Sequence, residues 1–257
     1  MLIDSHCHLD YFQGEERAAI IARAAAAGVT EMVTIGTRLT QSDVVRAIAD
    51  ANPTVWCTVG IHPHNAGEQL VPTVEAIVAE TDYPKVIGIG ESGLDYFYDK
   101  APRDQQAASF RAHIRAAQIS GLPLVIHARD ADADIAKILR EEWDSGGKFA
   151  FLLHCFSSGR GLAEAALALG GYISLSGILT FPRSQDIRDI ARDVPPDRLL
   201  VETDAPYLAP VPFCGKPNEP GYVVHTCAIL AKVHGMSAGA MADLTSLNFQ
   251  RLFTKAI

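Results

Sequence analysis

The amino-acid sequence predicts an α/β fold, specifically a (β/α)8 barrel of the TIM type. Short runs of apolar and β-branched residues alternate with segments of helical periodicity, and eight such units fit within the 257 residues. An open, doubly wound sheet is the structural alternative. The glycine-rich phosphate-binding turn that such a sheet carries after its first strand is absent. We therefore expect residues 1–257 to form a single barrel domain.

The predicted strands are short and apolar, as expected for strands that are buried on both faces of a parallel sheet. In chain order they are Leu2–His6, Glu31–Gly36, Val55–Ile61, Val86–Glu91, Leu122–His127, Phe149–His154, Tyr172–Ser176 and Leu199–Asp204. Most of them end in a polar or charged residue. The carboxyl ends of the strands are therefore the first place to look for chemistry.

Helical patterns fill the gaps between these strands. The clearest predicted helices are Glu15–Ala27, Arg103–Ser120 and Asp186–Asp193, and glycines at 28, 121 and 170 stand where helices should stop. The segment 205–221 contains five prolines and predicts a long loop after the eighth strand. A final helix is expected over Ser237–Phe253, where it would cover part of the barrel.

Composition excludes several classes of protein. Lys and Arg number 22 against 30 Asp and Glu, which gives a net charge of −8 and argues against nucleic-acid binding through a basic surface. A hydrophobic fraction of 48% is too high for a disordered chain. No apolar run approaches the roughly 20 residues of a membrane span, and no secretory signal is visible, so we expect a cytoplasmic protein without a membrane anchor. The five cysteines are scattered without any CxxC pair, which disfavours a disulfide framework or a zinc ribbon.

A metal site is predicted at the end of the first strand. His6 and His8 alternate along an extended chain, so both imidazoles face the same side and can bind one divalent ion. Asp4 is expected to orient one of these rings. An HxH pair alone is weak evidence, because two polar residues leaving a strand are common.

Similar residue types stand at the ends of several other predicted strands. Because the carboxyl ends of barrel strands meet at one mouth, these side chains are expected to converge there. They are His62, His64, Glu91, His127, His154 and Asp204.

Four histidines and two carboxylates exceed the three protein ligands of a typical catalytic zinc, so two divalent ions are the simplest interpretation. The proposed ligands are His6, His8, Glu91, His127, His154 and Asp204. Glu91 is the expected bridge, because a carboxylate can bind two ions at once. The mixed nitrogen and oxygen set would accept Zn, Mn or Mg.

Other residues are candidates for substrate contacts. Tyr11, Phe12, Tyr96, Phe97 and Tyr98 follow strands one and four, where they could stack on bases or only pack the loops. Arg129, Arg183 and Lys216 also lie in loops after strands and could bind phosphates; Lys216 is the strongest of the three, and Arg129 is kept as a second candidate. His113, His225 and His234 fall in helical patterns and are expected to be structural or solvated, with His113 on a surface helix.

These motifs together resemble the TatD family of metal-dependent deoxyribonucleases, within the wider amidohydrolase-like barrels. The resemblance covers nearly the whole chain. The matching segments are DSHCHLD at 4–10, GIHPH at 60–64, IGESGLDY at 89–96, HAR at 127–129, HCF at 154–156, ETDAPYL at 202–208, GKPNEP at 215–220 and NFQRLF at 248–253. The chain departs from the family pattern at Ser92, at Ser158 and at Cys214, where an arginine is common.

The resemblance implies a TIM barrel, a divalent-metal hydrolase and ligand roles for the same six residues. It also implies that His62 contacts substrate or phosphate near the metals. We therefore expect Glu91, Asp204 and His62 to act in catalysis, and His62, Lys216 and Arg129 to bind substrate. The expected reaction is hydrolysis of phosphodiester bonds at single-stranded DNA ends, often from the 3′ end, by a monomer.

Two other functions remain open from sequence. The same metals could hydrolyse a carboxyl ester or amide, such as the ester bond of a D-aminoacyl-tRNA. The third possibility is a non-catalytic binding protein with a structural metal. It ranks last, because closed structural zinc sites favour cysteine-rich ligand sets.

Overall fold

The chain forms a barrel of eight parallel strands in sequential order with helices between them, which confirms the predicted fold. The computed structural model describes residues 1–68 and 71–256. The first and last strands meet at their carboxyl ends, where Cys7 bridges Ala205 and the backbone N–H of Asp204 donates to the His6 carbonyl at 2.9 Å. The strand order never reverses, so the alternative of a doubly wound sheet is wrong.

The strands are β1 Leu2–Cys7, β2 Val29–Thr34, β3 Val55–Val59, β4 Val86–Asp95, β5 Leu124–Arg129, β6 Phe151–Leu153, β7 Tyr172–Leu175 and β8 Leu199–Val201. The helices are α1 Gly14–Ala26, α2 Ser42–Ala51, α3 Val74–Glu80, α4 Arg103–Ser120, α5 Asp132–Gly146, α6 Arg160–Ala168, α7 Gln185–Asp193, α8 Val223–Val233 and α9 Ala238–Leu252. No helix within residues 1–68 and 71–256 is long and apolar enough to cross a membrane.

Strand β4 is the longest of the described strands and continues four residues beyond the predicted end at Glu91. Its second half pairs with β5 as far as Asp95 opposite Arg129. Gly93 permits this close pairing, because it adopts φ = +145° and a Cβ there would lie only 2.0 Å from the carbonyl oxygen of His127. The extension carries Asp95 to the same end of the barrel as Glu91.

Strands β6 and β8 are shorter than predicted. Each has three residues, so His154 and Asp204 lie just beyond the strand ends rather than within the strands. The backbone turns sharply at both places, with φ = +43° at Cys155 and +58° at Asp204. Both turns occur where the chain leaves the carboxyl end of the barrel.

Alternate residues of each strand face two separate apolar cores. In β5, Leu124 and Ile126 pack outwards in the large cluster between strands and helices, whereas Val125 belongs to a smaller inner cluster. Other strands contribute Ile3, Val33, Ile87, Leu152 and Leu200 to this inner cluster.

The last helix closes the amino-terminal end of the barrel, in agreement with the prediction that it covers part of it. Phe249 and Phe253 join the inner cluster with ring centroids 4.6 Å apart. Asn248 donates to the carbonyls of Pro196 at 2.8 Å and of Leu199, the first residue of β8, at 2.9 Å. Lys255 donates to two carbonyls just before β4 at 2.7 and 2.8 Å. The opposite, carboxyl end of the barrel remains open.

Candidate metal centre

A cleft of about 1130 Å³ opens at the carboxyl end of the strands. Its lining includes strand-end side chains predicted from sequence, among them His8, His62, Glu91, His127, His154 and Asp204. His6 lies directly below and is fully buried. The structure therefore brings together the six residues that the sequence suggested as ligands.

Two groups of side chains surround Glu91, one on each carboxylate oxygen. Glu91 Oε2 lies 3.6 Å from His6 Nε2 and 3.9 Å from His8 Nε2. Glu91 Oε1 lies 2.7 Å from His154 Nε2 and 3.0 Å from His127 Nδ1. This division is the arrangement that a bridging carboxylate requires.

Asp204 completes the first group. Its Oδ1 atom lies 3.4 Å from His8 Nε2 and 3.6 Å from His6 Nε2. These separations are too long for good hydrogen bonds, but two ligands held about 2.1 Å from one tetrahedral ion lie roughly 3.4 Å apart. The spacing of His6, His8, Asp204 and Glu91 Oε2 therefore fits a shared cation.

The hydrogen-bonding state of His6 supports the same conclusion. Neither ring nitrogen of His6 has a hydrogen-bond partner within the described residues, although the ring is fully buried. An unpartnered buried polar atom costs about 1–3 kcal/mol, so such atoms call for a ligand. His8 Nδ1 is likewise buried and unpartnered. These orphaned nitrogens show that the residues present fit a metal ion.

Two carboxylates hold the outer nitrogens of the other group. Glu202 Oε1 lies 3.2 Å from His154 Nδ1, and Asp95 Oδ2 lies 3.1 Å from His127 Nε2. In metal sites, a carboxylate behind a histidine fixes the ring orientation and the tautomer that leaves the facing nitrogen free to bind. Sequence reasoning assigned no role to Asp95. Its only signal was its position four residues after Glu91 in the same motif.

His62 is held in a single tautomer. The backbone N–H of His64 donates to His62 Nδ1 at 3.0 Å, so the hydrogen of the neutral ring is on Nε2, which lies 3.4 Å from Glu91 Oε1. Burial lowers the pKa of His62 to about 4, which keeps the ring neutral near pH 7. The ligand atoms of His62, Glu91 and His127 lie within 4.8 Å of one another, close enough to share an ion. A nitrogen that carries hydrogen cannot bind a metal, however, so the hydrogen bond from His64 favours His62 as a hydrogen-bond donor into the cleft.

Burial and neighbouring charges decide which groups of this centre are ionised. Burial by itself would raise the pKa of Glu91, but His154 and His62 outweigh it and hold that pKa well below the usual range. Burial, reinforced by His154, lowers the pKa of His6. Glu91 is therefore ionised and His6 neutral, and these are the protonation states that bind a cation. Burial alone would lower the pKa of His8, His127 and His154, but the carboxylates that face these rings outweigh burial and raise it, so a bound ion would displace protons from them.

Aromatic and basic side chains form the rim of the cleft. Phe97 and Tyr98 are half exposed, and the guanidinium carbon of Arg129 sits 4.2 and 4.9 Å from their ring centroids. We call these three residues the aromatic wall. On another side, Tyr11 and Tyr207 stand edge to face with centroids 5.8 Å apart. Tyr207 was not singled out from sequence, because it lies within a proline-rich loop.

The remaining candidates lie elsewhere. Phe12 is buried in the outer core. Tyr96 packs against the same core, and the guanidinium carbon of Arg103 lies 4.0 Å from its ring centroid, so neither ring is free to stack on a base. Lys216 and Arg183 are exposed in loops outside the cleft lining. Cys214, at the position where the family often has arginine, is also exposed, and its thiol lies 3.5 Å from the Ala209 carbonyl.

Two expectations are wrong. Asp4 does not orient an imidazole: it accepts hydrogen bonds from the backbone and hydroxyl of Thr203 at 2.9 and 2.6 Å, so it ties β1 to the end of β8. His113 is not on a surface helix face but fully buried, where its Nε2 accepts the N–H of Ile61 at 3.0 Å. Burial lowers the pKa of His113 to about 4. Both residues are structural supports next to the centre.

A sequence model of the family described as TatD related DNase matches residues 3–254. The chain belongs to this family. It is 40% identical over 259 residues to an uncharacterized metal-dependent hydrolase, YcfH, of Escherichia coli K12, with 98% of this chain and 95% of that protein covered. It is 35% identical over 244 residues to the 3′-5′ ssDNA/RNA exonuclease TatD of Escherichia fergusonii, with 93% of each covered.

A solved TatD-family structure has the same fold. The crystal structure of YJJV, a TatD homologue from Escherichia coli K12, matches this chain with a TM-score of 0.90 at 28% identity, and the match covers 98% of each chain. The barrel of a TatD-family hydrolase from Entamoeba histolytica also matches, with a TM-score of 0.85 at 18% identity. The second likeness concerns the fold alone.

Proposed function

We propose that this TatD-family chain is a divalent-metal-dependent hydrolase of phosphodiester bonds at single-stranded DNA ends. The observation that carries the proposal is the division of Glu91 between two groups of ligand atoms. His6, His8 and Asp204 would hold one ion with Glu91 Oε2. His127 and His154, whose nearer nitrogens lie 3.0 and 2.7 Å from Glu91 Oε1, would hold a second ion with that oxygen. Zn, Mn and Mg all suit this set of donors.

When bound, such ions supply Lewis acidity that activates water and offsets the negative charge of a phosphate. The side chains of the chain act around that chemistry. Asp204 Oδ1 faces His6 and His8, which leaves Oδ2 to accept a proton from the attacking water. His62 donates its Nε2–H to a phosphate oxygen, and it has no need to change protonation state, because its pKa of about 4 keeps the ring neutral.

The rim supports a substrate with unpaired bases. The rings of Phe97 and Tyr98 are exposed at the cleft, where each could stack on a base, and base stacking on an aromatic ring is worth about 1–3 kcal/mol. Arg129 has no acidic partner within the described residues, so its guanidinium hydrogens are free to meet a phosphate. Bases paired in a duplex are stacked on each other and could not use these rings.

The acidic net charge is compatible with this substrate. Two divalent ions bring about four positive charges to the mouth of the cleft, so phosphate binding depends on local charge rather than on the net charge of −8. Cleavage from the 3′ end is the expected polarity, in line with the exonuclease name of the Escherichia fergusonii relative.

The proposal is tested with protein stripped by a chelator and then supplied with Zn, Mn or Mg. Single-stranded DNA labelled at the 5′ end should be shortened stepwise, whereas a blocked 3′ end or a duplex should resist. Activity should vanish with the chelator and return with the ion. Full activity in protein shown to be metal-free by elemental analysis would contradict the proposal.

The same experiment separates the other two functions. Release of the amino acid from a D-aminoacyl-tRNA with no shortening of DNA would indicate an ester hydrolase with the same metals. Metal binding without hydrolysis of either substrate would indicate a non-catalytic protein.

A further inference from the structure

We propose that Asp95 is a positioning residue that links the candidate ligand His127 to the aromatic wall of the cleft. The proposal rests on the metal-dependent function above, but it concerns a residue outside the ligand set. Asp95 is fully buried at the end of β4, directly opposite Arg129 in the strand pairing. It therefore lies between the metal centre and the rim.

The two oxygens of Asp95 have different partners. Oδ1 accepts the backbone N–H groups of Phe97 at 3.0 Å and Tyr98 at 2.9 Å, which fixes the start of the wall. Oδ2 lies 3.1 Å from His127 Nε2 and 2.8 Å from His64 Nε2. One carboxylate thus holds the wall by one oxygen and the centre by the other.

These contacts determine which nitrogen of His127 would bind an ion. A carboxylate only accepts hydrogen bonds, and the ring faces one at each nitrogen: Asp95 Oδ2 lies 3.1 Å from Nε2, and Glu91 Oε1 lies 3.0 Å from Nδ1. An ion held between Glu91 and His127 would replace the hydrogen on Nδ1, whereas the hydrogen on Nε2 would stay, because Asp95 accepts it. Asp95 therefore selects Nδ1 as the ligand atom of His127.

Asp95 is itself held rigidly. Gln106 of α4 accepts the N–H of Asp95 at 2.8 Å and donates to its carbonyl at 3.3 Å. His64, the second imidazole on Oδ2, packs edge-on against Tyr98 with centroids 5.2 Å apart. A movement of the aromatic wall therefore also moves His127, because Asp95 is held between them. As a result, ordering of the wall raises the affinity for the ion, and binding of the ion orders the wall.

The first test needs no substitution and uses wild-type protein loaded with Zn²⁺. In ¹⁵N-histidine NMR spectra, His127 should bind the ion through Nδ1 and carry its hydrogen on Nε2. A His127 ring bound through Nε2, with hydrogen on Nδ1, would overturn the proposal. This measurement is independent of hydrolysis, so it separates the failure of this inference from the failure of the proposed function.

The second test uses Asp95→Asn. The amide keeps the shape of the carboxylate but has only one acceptor oxygen. Either His127 or the backbone N–H groups of Phe97 and Tyr98 therefore lose their hydrogen-bond acceptor. Calorimetric titration with Zn²⁺ alone should show one site weakened by about 10- to 100-fold, the usual effect of losing a carboxylate behind a ligating histidine. In the wild type, Zn²⁺ should slow hydrogen exchange at the Phe97 and Tyr98 amides, and in the variant it should not.

Asp134→Asn is the matched control, since this exposed carboxylate accepts a hydrogen bond from the Tyr96 hydroxyl at 2.7 Å beside the wall but contacts no imidazole of the described residues. It should leave both Zn²⁺ affinity and amide exchange unchanged. Wild-type Zn²⁺ affinity in Asp95→Asn, with the His127 tautomer also unchanged, would refute the role of Asp95. If wild-type protein bound no divalent ion at all, both the proposed function and this role of Asp95 would fail, whereas Zn²⁺ bound through His127 Nδ1 without any hydrolysis of DNA would contradict the proposed function alone.

Discussion

The two ends of the barrel bury their side chains in opposite ways. At the amino-terminal end, Phe249 and Phe253 fill the barrel with apolar contacts, and the polar groups of Asn248 and Lys255 are hydrogen-bonded. At the carboxyl end, the His6 ring is equally buried, yet neither of its nitrogens has a partner within the described residues. The amino-terminal end therefore contributes to the stability of the fold. The carboxyl end retains buried nitrogens that lower the stability unless a ligand binds them.

This contrast predicts that substitutions at the two ends separate activity from stability. Changes at the carboxyl end should remove metal binding and hydrolysis while the fold survives. Changes at the amino-terminal end should lower the free energy of unfolding without altering the turnover of folded protein. Each prediction below can confirm or break this separation.

The largest effect is expected for Glu91→Gln. The amide keeps the size of Glu91 but removes the charge that offsets two neighbouring dications, so one ion should bind far more weakly and hydrolysis should fall by at least two orders of magnitude. Elemental analysis and single-turnover rates measure both effects. Glu75→Gln, at an exposed position of α3, is the control. Near-normal turnover with unchanged metal content would mean that another carboxylate, Asp204 or Glu202, forms the bridge.

Phe253→Ala should have the next largest effect, on stability alone. The ring is fully buried in the inner cluster, so its loss should cost about 3–5 kcal/mol in the free energy of unfolding. Denaturant titration measures the loss, and turnover well below the midpoint should stay normal. A loss of metal by Phe253→Ala would contradict the separation.

Phe97→Ala is the corresponding test at the carboxyl end of the barrel. The free energy of unfolding should change by less than about 0.5 kcal/mol, while the affinity for single-stranded DNA falls.

His113 should make stability depend on pH. Its pKa falls from 6.5 to about 4 on folding, so below pH 6.5 the unfolded chain binds the extra proton and the folded chain does not. The contribution of His113 to the free energy of unfolding is fully present above pH 6.5. It is lost as the pH falls towards 4, by about 3 kcal/mol in total.

His113→Gln tests this origin, because the amide can still accept from Ile61 and donate to the Ser109 carbonyl. Denaturant titrations from pH 7 to pH 4 should show a smaller loss of stability in the variant, with the difference close to the same 3 kcal/mol. Identical pH profiles would exclude His113 as the cause.

The smallest effect is expected for Lys216→Ala. If Lys216 contacts a phosphate of single-stranded DNA, its removal should weaken binding a few-fold and reduce the slope of log affinity against log salt by about 0.7. Metal content should not change. Lys148→Ala, another exposed lysine just before β6, should leave the slope unaltered. An unchanged slope in Lys216→Ala would remove Lys216 from the substrate contacts.

The barrel and most of its mouth were predictable because their signals are local. The period of apolar residues distinguishes strand from helix within about ten residues, and a polar residue directly after an apolar run lies at a strand end. Parallel strands in sequential order bring those ends together. His6, His8, Glu91, His127 and the rest of the candidate set could therefore be gathered at one mouth without any distance being known.

Only the tertiary structure decided which partners these side chains have. The roles of Asp95, Asp4 and His113 depend on contacts with residues far away in the chain, such as Thr203 and Ile61, and hydrophobic periodicity says nothing about such pairs. The length of β4 depends on how closely Gly93 can approach β5, which is a property of two strands together. Sequence determines which face of an element is apolar, whereas the distances between elements follow from packing.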